Sequence, residues 1–379
     1  MQPPFTIIIL AFNRLYSLQR LMISLIESAR SFNASSPIPI TISLDKDASS
    51  DVIRFSENFY SRFYNISIIK QSQKMGPDQH NLWAMQQSES LENVMILEDD
   101  SMVSPSLFFY STSILSKLAE DPKIAGFSLY DYERNEVANC PFIKLDDGND
   151  IYFYQRASSR GMIISKAQWL RYKSCNIDYT SIDLPAFYHR WDNSIWEKNF
   201  NAYLIQENLY WLFPRLSLTT NFGEPGAHIS KSIYRHAFQT KLSIAIKSEY
   251  KLCNMLESKA VYDSYGEPRC IQGFSTGEIT ADILGIRNLS LVKTKYVITG
   301  RRSSTHIEGY SLDLIPPEMN VIKHLRGDEL KVTEPRFVSE TYLSKMRWQL
   351  KLHYYFYPDQ GLLHLLRIKL MEIAHRILK

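Results

Sequence analysis

Apolar runs typical of buried strands alternate with amphipathic helical segments over the first hundred residues. The clearest helical segment is 16–30, where Leu18, Leu21, Met22 and Leu25 recur at helical spacing. The strand-like runs are FTIIILAF at 5–12, PIPITISL at 37–44, ISIIK at 66–70 and NVMIL at 93–97. Continuous apolar runs are typical of parallel strands that are covered on both faces. The alternation therefore predicts an α/β fold with a doubly wound, mostly parallel sheet.

The pattern changes near residue 237, where a predicted helix reaching Leu256 is followed by short strands. A chain of 379 residues is longer than one compact domain usually is. We therefore expect an α/β domain at 1–236 and an accessory α/β region at 237–340. The remaining segment, 341–379, carries seven Lys or Arg against two acidic residues and predicts a basic amphipathic helical tail. Such a tail suits a membrane surface, and packing onto the body of the protein is the alternative.

Composition excludes several classes of protein. The formal net charge of +3 is too small to indicate nucleic-acid binding. The four cysteines lie far apart without a CxxC pair, which predicts reduced thiols rather than a zinc site or disulfides. The first apolar run is too short to span a bilayer and no basic segment precedes it. We expect a cytoplasmic protein, located at the inner face of the cell membrane if the tail binds lipid.

Three consecutive acidic residues, Glu98-Asp99-Asp100, directly follow the strand-like run at 93–97. Neighbouring carboxylates repel one another unless a cation or solvent offsets their charge. Mg²⁺ and Mn²⁺ prefer oxygen ligands and commonly take one or two carboxylates, which leaves positions for substrate phosphates. The triplet therefore predicts a divalent-metal site, and a solvated loop or a helix N-terminus is the alternative.

Seven short segments stand in order between residues 7 and 230: IIILAFNR at 7–14, SLD at 43–45, HNLWAM at 80–85, VMILEDDSMVSPSLFFY at 94–110, GMIISKAQW at 161–169, WDN at 191–193 and PRLSLTTNFGEPGAHIS at 214–230. Together they resemble the GT-A glycosyltransferases related to the Golgi N-acetylglucosaminyltransferase that begins complex N-glycan branching. The resemblance implies a GT-A-type fold, a nucleotide-sugar donor and Mn²⁺ or Mg²⁺ as cofactor. It also implies transfer of the sugar to a hydroxyl with inversion of the anomeric carbon.

The resemblance implies a role in nucleotide binding for three residues. Arg14 and Asp45 would hold the nucleotide, with Asp45 on the ribose hydroxyls, and His80 would lie near a uracil-like base. Each residue also has an ordinary structural interpretation. Arg14 could form a salt bridge at a strand end, Asp45 could cap a turn, and His80 could begin a helix.

The acidic triplet and a glycine-containing loop would hold the rest of the donor. The resemblance implies that Asp100 is the direct metal ligand and that Glu98 and Asp99 orient the sugar and its phosphates. Gly223 and Gly226 would belong to a loop that orders over the nucleotide sugar. A plain surface turn is the alternative for that loop.

Trp191-Asp192 resembles the Trp-Asp pair of these enzymes. Asp192 would be the catalytic base that deprotonates the acceptor hydroxyl, because an alcohol is a poor nucleophile at neutral pH. The family often continues with a second acid, whereas this chain has Asn193. The alternative for Asp192 is capping of a helix predicted at 193–199.

The sequence leaves three functional classes open. The first is a metal-dependent inverting glycosyltransferase, a hexosyl- or N-acetylhexosaminyltransferase. It would act on a UDP-sugar such as UDP-GlcNAc, and on a glycan or lipid-linked saccharide in surface polysaccharide synthesis. The second is a sugar nucleotidyltransferase, although the loop AFNRLYS lacks the glycines such enzymes generally use. The third is a non-catalytic glycan-binding protein on a GT-A scaffold.

Overall fold

The computed structural model of the chain describes residues 2–222, 239–275 and 277–339, together with Leu370. These residues form two compact units. The first unit comprises Met1–Tyr132 with Lys144–Gly266, and the second comprises Glu133–Ile143 with Glu267–Lys379. Outside the described residues, and therefore still predictions, lie the boundaries after 236 and 340, Gly223, Gly226 and the 341–379 tail apart from Leu370.

Helices and strands are numbered along the chain. The strands are β1 (Thr6–Ala11), β2 (Ile38–Leu44), β3 (Tyr64–Lys70), β4 (Asn93–Glu98), β5 (Ser101–Val103), β6 (Ile124–Ser128), β7 (Arg134–Asn135), β8 (Cys140–Pro141), β9 (Ile151–Tyr154), β10 (Met162–Ser165), β11 (Tyr210–Pro214), β12 (Thr219–Asn221), β13 (Val261–Tyr262), β14 (Ile279–Asp282), β15 (Tyr296–Thr299), β16 (Glu308–Tyr310) and β17 (Leu330–Thr333). The α-helices are α1 (Leu15–Phe32), α2 (Ser50–Asn58), α3 (Gly76–Gln86), α4 (Ser88–Leu91), α5 (Leu107–Leu118), α6 (Lys166–Ser174), α7 (Ala186–His189), α8 (Trp196–Gln206) and α9 (Glu318–Ile322).

A nine-stranded sheet forms the centre of the described part of the first unit. Its strand order is β13-β9-β11-β6-β10-β4-β1-β2-β3. Five neighbouring pairs are parallel, and the pairs β9 with β11, β10 with β6, and β10 with β4 are antiparallel. The α/β class and the mostly parallel sheet predicted from the sequence are confirmed.

Helices cover both faces of this sheet. On one face, Ile7 and Ile9 of β1 belong to a core cluster that includes Leu18 of α1 and Phe108 of α5. The intervening Ile8 is equally inaccessible to solvent, and α3 contacts both β1 and β4. Strands buried on both faces explain why the first hundred residues contain continuous apolar runs rather than alternating ones.

The helix predicted to reach Leu256 is wrong, because residues 239–256 contain no helix. Tertiary hydrogen bonds hold this segment in a non-helical conformation. The Ser106 hydroxyl donates to the carbonyl of Ala245 and accepts from the amide of Lys247, each at 2.7 Å. The amide of Ser243 donates to the carbonyl of Ser217 at 3.1 Å. These bonds satisfy backbone groups that a helix would otherwise pair internally.

The described part of the second unit contains a four-stranded sheet in the order β14-β15-β17-β16. Its core includes Ile298 and Val332. Beside it, the buried carboxylate of Asp282 forms an ion pair with Arg301 at 2.8 Å. Burial raises the pKa of Asp282, and the positive charge of Arg301 partly offsets that rise. Across both units, no described helix is long and apolar enough to cross a membrane.

Candidate active site

The carboxyl ends of β1, β2 and β4 bring the first group of predicted site residues together. Leu10 pairs with Glu98, and Ala11 pairs with Leu44, so the three strands end at one edge of the sheet. The amide of Asp99 donates to the carbonyl of Leu10 at 3.0 Å. In open α/β sheets this edge is where ligands bind. We call it the acidic edge, defined by Arg14 and Glu98-Asp99-Asp100.

Arg14 bridges two of the three acidic residues. Its Nη1 lies 2.5 Å from Oδ2 of Asp100, and its Nη2 pairs with Oδ1 of Asp99. Asp99 and Asp100 are almost fully buried, whereas Arg14 is half-buried. The amide of Phe12 also donates to Oδ2 of Asp99 at 3.3 Å. The strand-end salt bridge considered for Arg14 is therefore present.

Three carboxylates lie close together at the acidic edge. Burial, together with the charge of Asp100, raises the pKa of Glu98 to about 7. Burial likewise raises the pKa of Asp99 to about 6, although the Arg14 guanidinium opposes the rise. The guanidinium of Arg14 pairs with both Asp99 and Asp100. An additional positive charge would stabilise their ionised forms.

Asn221 is a site residue to which sequence reasoning assigned no role. Its Nδ2 donates to Oδ1 of Asp100 at 2.8 Å, and its side chain is buried. It reaches this position because β12 pairs with β5, with Asn221 opposite Ser101. The short run Thr219-Thr220-Asn221 was the signal available, since threonine favours strands. No pattern indicated which strand it would pair with.

The residues of the acidic edge fit a divalent cation in chemistry and charge. Glu98, Asp99 and Asp100 offer carboxylate oxygens, which Mg²⁺ and Mn²⁺ prefer as ligands. In the described part of the chain, no three His, Cys, Asp or Glu side chains converge as metal ligands. Such cations commonly take one or two carboxylates, with substrate and water as the other ligands. Arg14 and Asn221 each donate to one oxygen of the Asp100 carboxylate, and the contact of Asp100 with a metal ion remains a prediction.

Asp45 is buried and uses both carboxylate oxygens to accept backbone amides. Oδ1 accepts from Lys46 at 2.8 Å and from Met75 at 2.9 Å, and Oδ2 accepts from Gly76 at 3.0 Å. Gly76 has φ +66°, a conformation that favours glycine. Asp45 therefore fixes the start of α3 at the acidic edge. Its predicted contact with the ribose remains a prediction.

His80 lies on α3, buried beneath this edge. Its Nε2 is 2.7 Å from Oγ of Ser43, and Gln71 donates to the same oxygen at 2.9 Å. Burial lowers the pKa of His80, with the charge of Asp45 acting in the opposite direction. A neutral ring accepting the Ser43 proton at Nε2 satisfies both contacts. The proximity of His80 to a base remains a prediction.

Asp192 lies in an exposed turn before α8. Its Oδ1 accepts the amide of Ser194 at 2.8 Å, and bonds from Ser194 lower the pKa of Asp192. The helix predicted at 193–199 begins instead at Trp196, whose N-cap is Ile195, so Asp192 is not its cap. The amide of Trp196 donates to Oδ1 of Asp78 on α3 at 3.3 Å. This contact connects the start of α8 to the helix that Asp45 anchors.

Trp191 is half-buried in a cluster of aromatic rings next to Asp192. Its ring centroid lies 5.2 Å from that of Phe187 and 5.1 Å from that of Tyr188. Beneath the turn, Nζ of Lys198 donates to the carbonyl of Trp191 at 2.6 Å and to Oδ1 of Asn193 at 2.7 Å. Lys198 therefore holds the backbone and side chain on either side of Asp192 in place.

No protein-family model matches this sequence, and no curated protein matches it. Solved structures with partial similarity include a mannosyltransferase from Pyrobaculum calidifontis in complex with GDP-Man and Mn²⁺ (12% identity, 45% of this chain and 47% of that chain, TM-score 0.31). Another is S. aureus TarS 1–349 (12% identity, 56% of this chain and 60% of that chain, TM-score 0.36). A third is GalNAc-T7 with UDP, GalNAc and Mn²⁺ (11% identity, 56% of this chain and 42% of that chain, TM-score 0.37). The similarity thus spans less than two thirds of each of these chains, and at these TM-scores it carries no argument about activity or substrate.

Proposed function

We propose that this chain is a metal-dependent, inverting glycosyltransferase that moves a sugar from a nucleotide-sugar donor to a hydroxyl of a glycan or lipid-linked saccharide. The observation that supports it most is the acidic edge. There, the buried carboxylates of Asp99 and Asp100 lie with Glu98 at the end of the sheet where α/β proteins bind ligands, and burial raises the pKa of Glu98 and of Asp99. A UDP-sugar such as UDP-N-acetylglucosamine is the donor to test first, because the sequence resemblance favours it.

At the donor end, Asp100 would hold Mn²⁺ or Mg²⁺. When bound, the cation would neutralise charge on the diphosphate as the nucleotide leaves. Asn221 and Arg14 fix the Asp100 carboxylate, since each donates to a different oxygen. Glu98 and Asp99 would orient the sugar and its phosphates. His80 and Asp45 would face the nucleotide, and Gly223 and Gly226 would cover it.

At the acceptor end, Asp192 would accept the proton of the attacking hydroxyl. Its lowered pKa keeps the carboxylate ionised at neutral pH, so that it is ready to accept a proton in the transition state. The exposed turn leaves room for a large acceptor, and Trp191 offers a ring face for a sugar to stack on. Attack from the side opposite the departing nucleotide inverts the anomeric carbon.

The cellular setting follows from the sequence of the tail. A basic amphipathic 341–379 segment would bring the enzyme to the inner face of a membrane, where lipid-linked saccharides for surface polysaccharides are extended. Vesicle binding by the full chain would test this setting separately from the chemistry.

An assay that measures the nucleotide released from a panel of nucleotide sugars tests the proposed activity. We expect Mn²⁺-dependent release of UDP from one donor of a UDP-sugar panel, either by transfer to a lipid-linked saccharide or by slow hydrolysis. Chelation by EDTA should abolish the release and added Mn²⁺ should restore it. Release that is indifferent to EDTA would contradict the metal-dependent mechanism, and no release with any UDP-, GDP- or CMP-sugar would contradict the function.

A further inference from the structure

We propose that Lys198 of α8 is a positioning residue for Asp192. Its buried ammonium group holds the turn at 191–193 in the conformation that presents the Asp192 carboxylate to an acceptor. This inference rests on the proposed function, because Asp192 is the base of that reaction. Lys198 would act through the turn and would contact neither the substrate nor the reacting atoms.

Lys198 is a buried lysine, with 7% of its surface exposed. Lysine is almost never buried unless its charge is paired, because removing an ammonium group from water costs free energy. Within the described part of the chain, Lys198 has no carboxylate at ion-pair distance, and neutral oxygens bind its ammonium group. An apolar side chain at this position would avoid that cost. The stability of the fold therefore gives little reason for a lysine here.

The two hydrogen bonds of the ammonium group lie on either side of Asp192. Nζ donates to the carbonyl oxygen of Trp191 at 2.6 Å and to Oδ1 of Asn193 at 2.7 Å. These acceptors belong to the residues directly before and after Asp192. Because both bonds converge on one nitrogen atom, they restrict the backbone at 192 from both sides.

Neighbouring hydrogen bonds extend this restraint to the carboxylate itself. Nδ2 of Asn199 donates to the carbonyl oxygen of Asn193 at 2.8 Å, which adds a further bond from α8 to the turn. The amide of Ser194 donates to Oδ1 of Asp192 at 2.8 Å. The backbone that Lys198 holds therefore also sets where the Asp192 carboxylate lies.

The helix that carries Lys198 packs against the central sheet. Trp196 and Phe200 of α8 are buried, and their ring centroids lie 6.1 Å apart. The centroid of the Phe200 ring also lies 5.4 Å from that of Trp211 in β11. Buried aromatic contacts thus fix the position of α8, and Lys198 connects that fixed helix to the exposed turn of Asp192.

The charge of Lys198 acts on Asp192 in the same direction as the hydrogen bonds. Bonds from Ser194 contribute most to the lowered pKa of Asp192, and the positive charge of Lys198 lowers this pKa further. The carboxylate next to Lys198 in the chain, Glu197, is paired with Arg156 at 3.5 Å. Loss of the lysine should therefore loosen the turn and raise the pKa of Asp192.

NMR titration of the Asp192 carboxyl group, in the absence of donor and Mn²⁺, tests this contact. Lys198→Met keeps a side chain of similar length and removes its charge, so we expect the pKa of Asp192 to rise. Lys173→Met, which changes an exposed lysine of α6 paired with Glu89, should leave that pKa unchanged. Thermal melts check that both variants fold. If the pKa of Asp192 is the same in Lys198→Met and in the natural chain, the inference is wrong.

Steady-state kinetics test whether Lys198 acts through Asp192. Lys198→Met should lower kcat by about tenfold or more and leave the donor KM unchanged, since a misplacement of about 1 Å can cost a rate factor of about 10². In the Asp192→Asn background the same substitution should have no further effect, because the effects of directly coupled residues are not additive. An equal loss of kcat in both backgrounds would show a general structural role and would overturn the inference.

Asn193→Ala is a second variant that leaves the buried lysine in place. It removes one of the two acceptors of the ammonium group, and because Asn193 is exposed its substitution is not expected to affect folding. We expect kcat to fall by a smaller factor than in Lys198→Met, and an unchanged kcat would contradict a turn held by this bond. The titration needs no donor, so it decides whether Lys198 positions Asp192 even if no nucleotide sugar proves to be a substrate. If transfer occurs and Lys198→Met acts equally in both backgrounds, the inference fails and the proposed function stands.

Discussion

The acidic edge and the turn that presents Asp192 lie in the same unit, and their carboxylates differ in burial and in pKa. At the acidic edge three carboxylates surround one arginine, and burial raises the pKa of Glu98 and of Asp99. In the exposed turn, hydrogen bonds from Ser194 lower the pKa of Asp192. A diphosphate would approach the acidic edge with a cation, whereas an uncharged hydroxyl would approach Asp192 directly. The two ends would therefore select different parts of the substrates.

The largest expected effect concerns the acidic edge. Asp100→Ala should abolish Mn²⁺-dependent nucleotide binding and lower the transfer rate by about 10³-fold or more, since metal stabilisation is worth several kcal/mol. Isothermal titration with UDP, with and without Mn²⁺, measures it. Asp51→Ala, an exposed acid of α2, is the matched control. Unchanged Mn²⁺-dependent binding in Asp100→Ala would show that the metal assignment is wrong.

Asp192→Asn should lower kcat by about 10²-fold or more while leaving the donor KM unchanged, because general bases contribute roughly that much. Steady-state kinetics with a lipid-linked or soluble acceptor measures both constants. Asp178→Asn is a close control, since Asp178 is also exposed, accepts from the residue two positions later and has a lowered pKa. If Asp192→Asn retains the full transfer rate, Asp192 is not the catalytic base.

Asn221→Ala should weaken Mn²⁺-dependent nucleotide binding about tenfold, in the range found when groups that orient metal ligands are removed. The cause is loss of the 2.8 Å hydrogen bond that orients Asp100. Titration calorimetry compares the nucleotide affinity of Asn221→Ala with that of Asn65→Ala, which changes an exposed asparagine of β3. Thermal melts of both variants check that folding is retained. Equal affinity in the two variants would limit Asn221 to a structural role.

The smallest effect concerns pH. A carboxylate base works above its pKa and fails as the pH falls through it, so the lowered pKa of Asp192 keeps transfer active below the usual range of aspartate. Ser194→Ala removes one of the hydrogen bonds that lower this pKa and should shift the acid limb of the kcat profile upward. Ser181→Ala, which acts on Asp178 in the same way, should leave the profile unchanged. If the acid limb of the kcat profile does not move in Ser194→Ala, that limb does not report the ionisation of Asp192.

Local patterns predicted the sheet and its acidic edge well, because continuous apolar runs and strand ends are encoded within short segments. The strands β1 to β4 lie close to their predicted positions, and Arg14 lies beside Asp99 and Asp100. Long-range pairing was harder to foresee. The β5 and β12 ribbon that delivers Asn221 joins segments more than a hundred residues apart.

Two further features depended on tertiary contacts that no local pattern contains. The segment before Leu256 is bound by Ser106 and Ser217 instead of forming a helix. The amide of Trp196 donates to Asp78, a residue far away in the chain, so spacing could not indicate that α8 begins beside α3. Asp45 illustrates an intermediate case, because its position at the edge was predictable and its bonds to the amides of Met75 and Gly76 were not.

Thermal stabilisation by nucleotide sugars tests the central claim most directly, since a ligand that binds the native state alone raises the unfolding temperature. UDP-, GDP- and CMP-sugars would be compared with and without Mn²⁺, on the natural chain and on Asp100→Ala. We predict that one class of nucleotide sugar raises the unfolding temperature only when Mn²⁺ is present, and that Asp100→Ala loses this rise. Stabilisation that is independent of Mn²⁺, or that persists in Asp100→Ala, would contradict a metal-bound donor at the acidic edge.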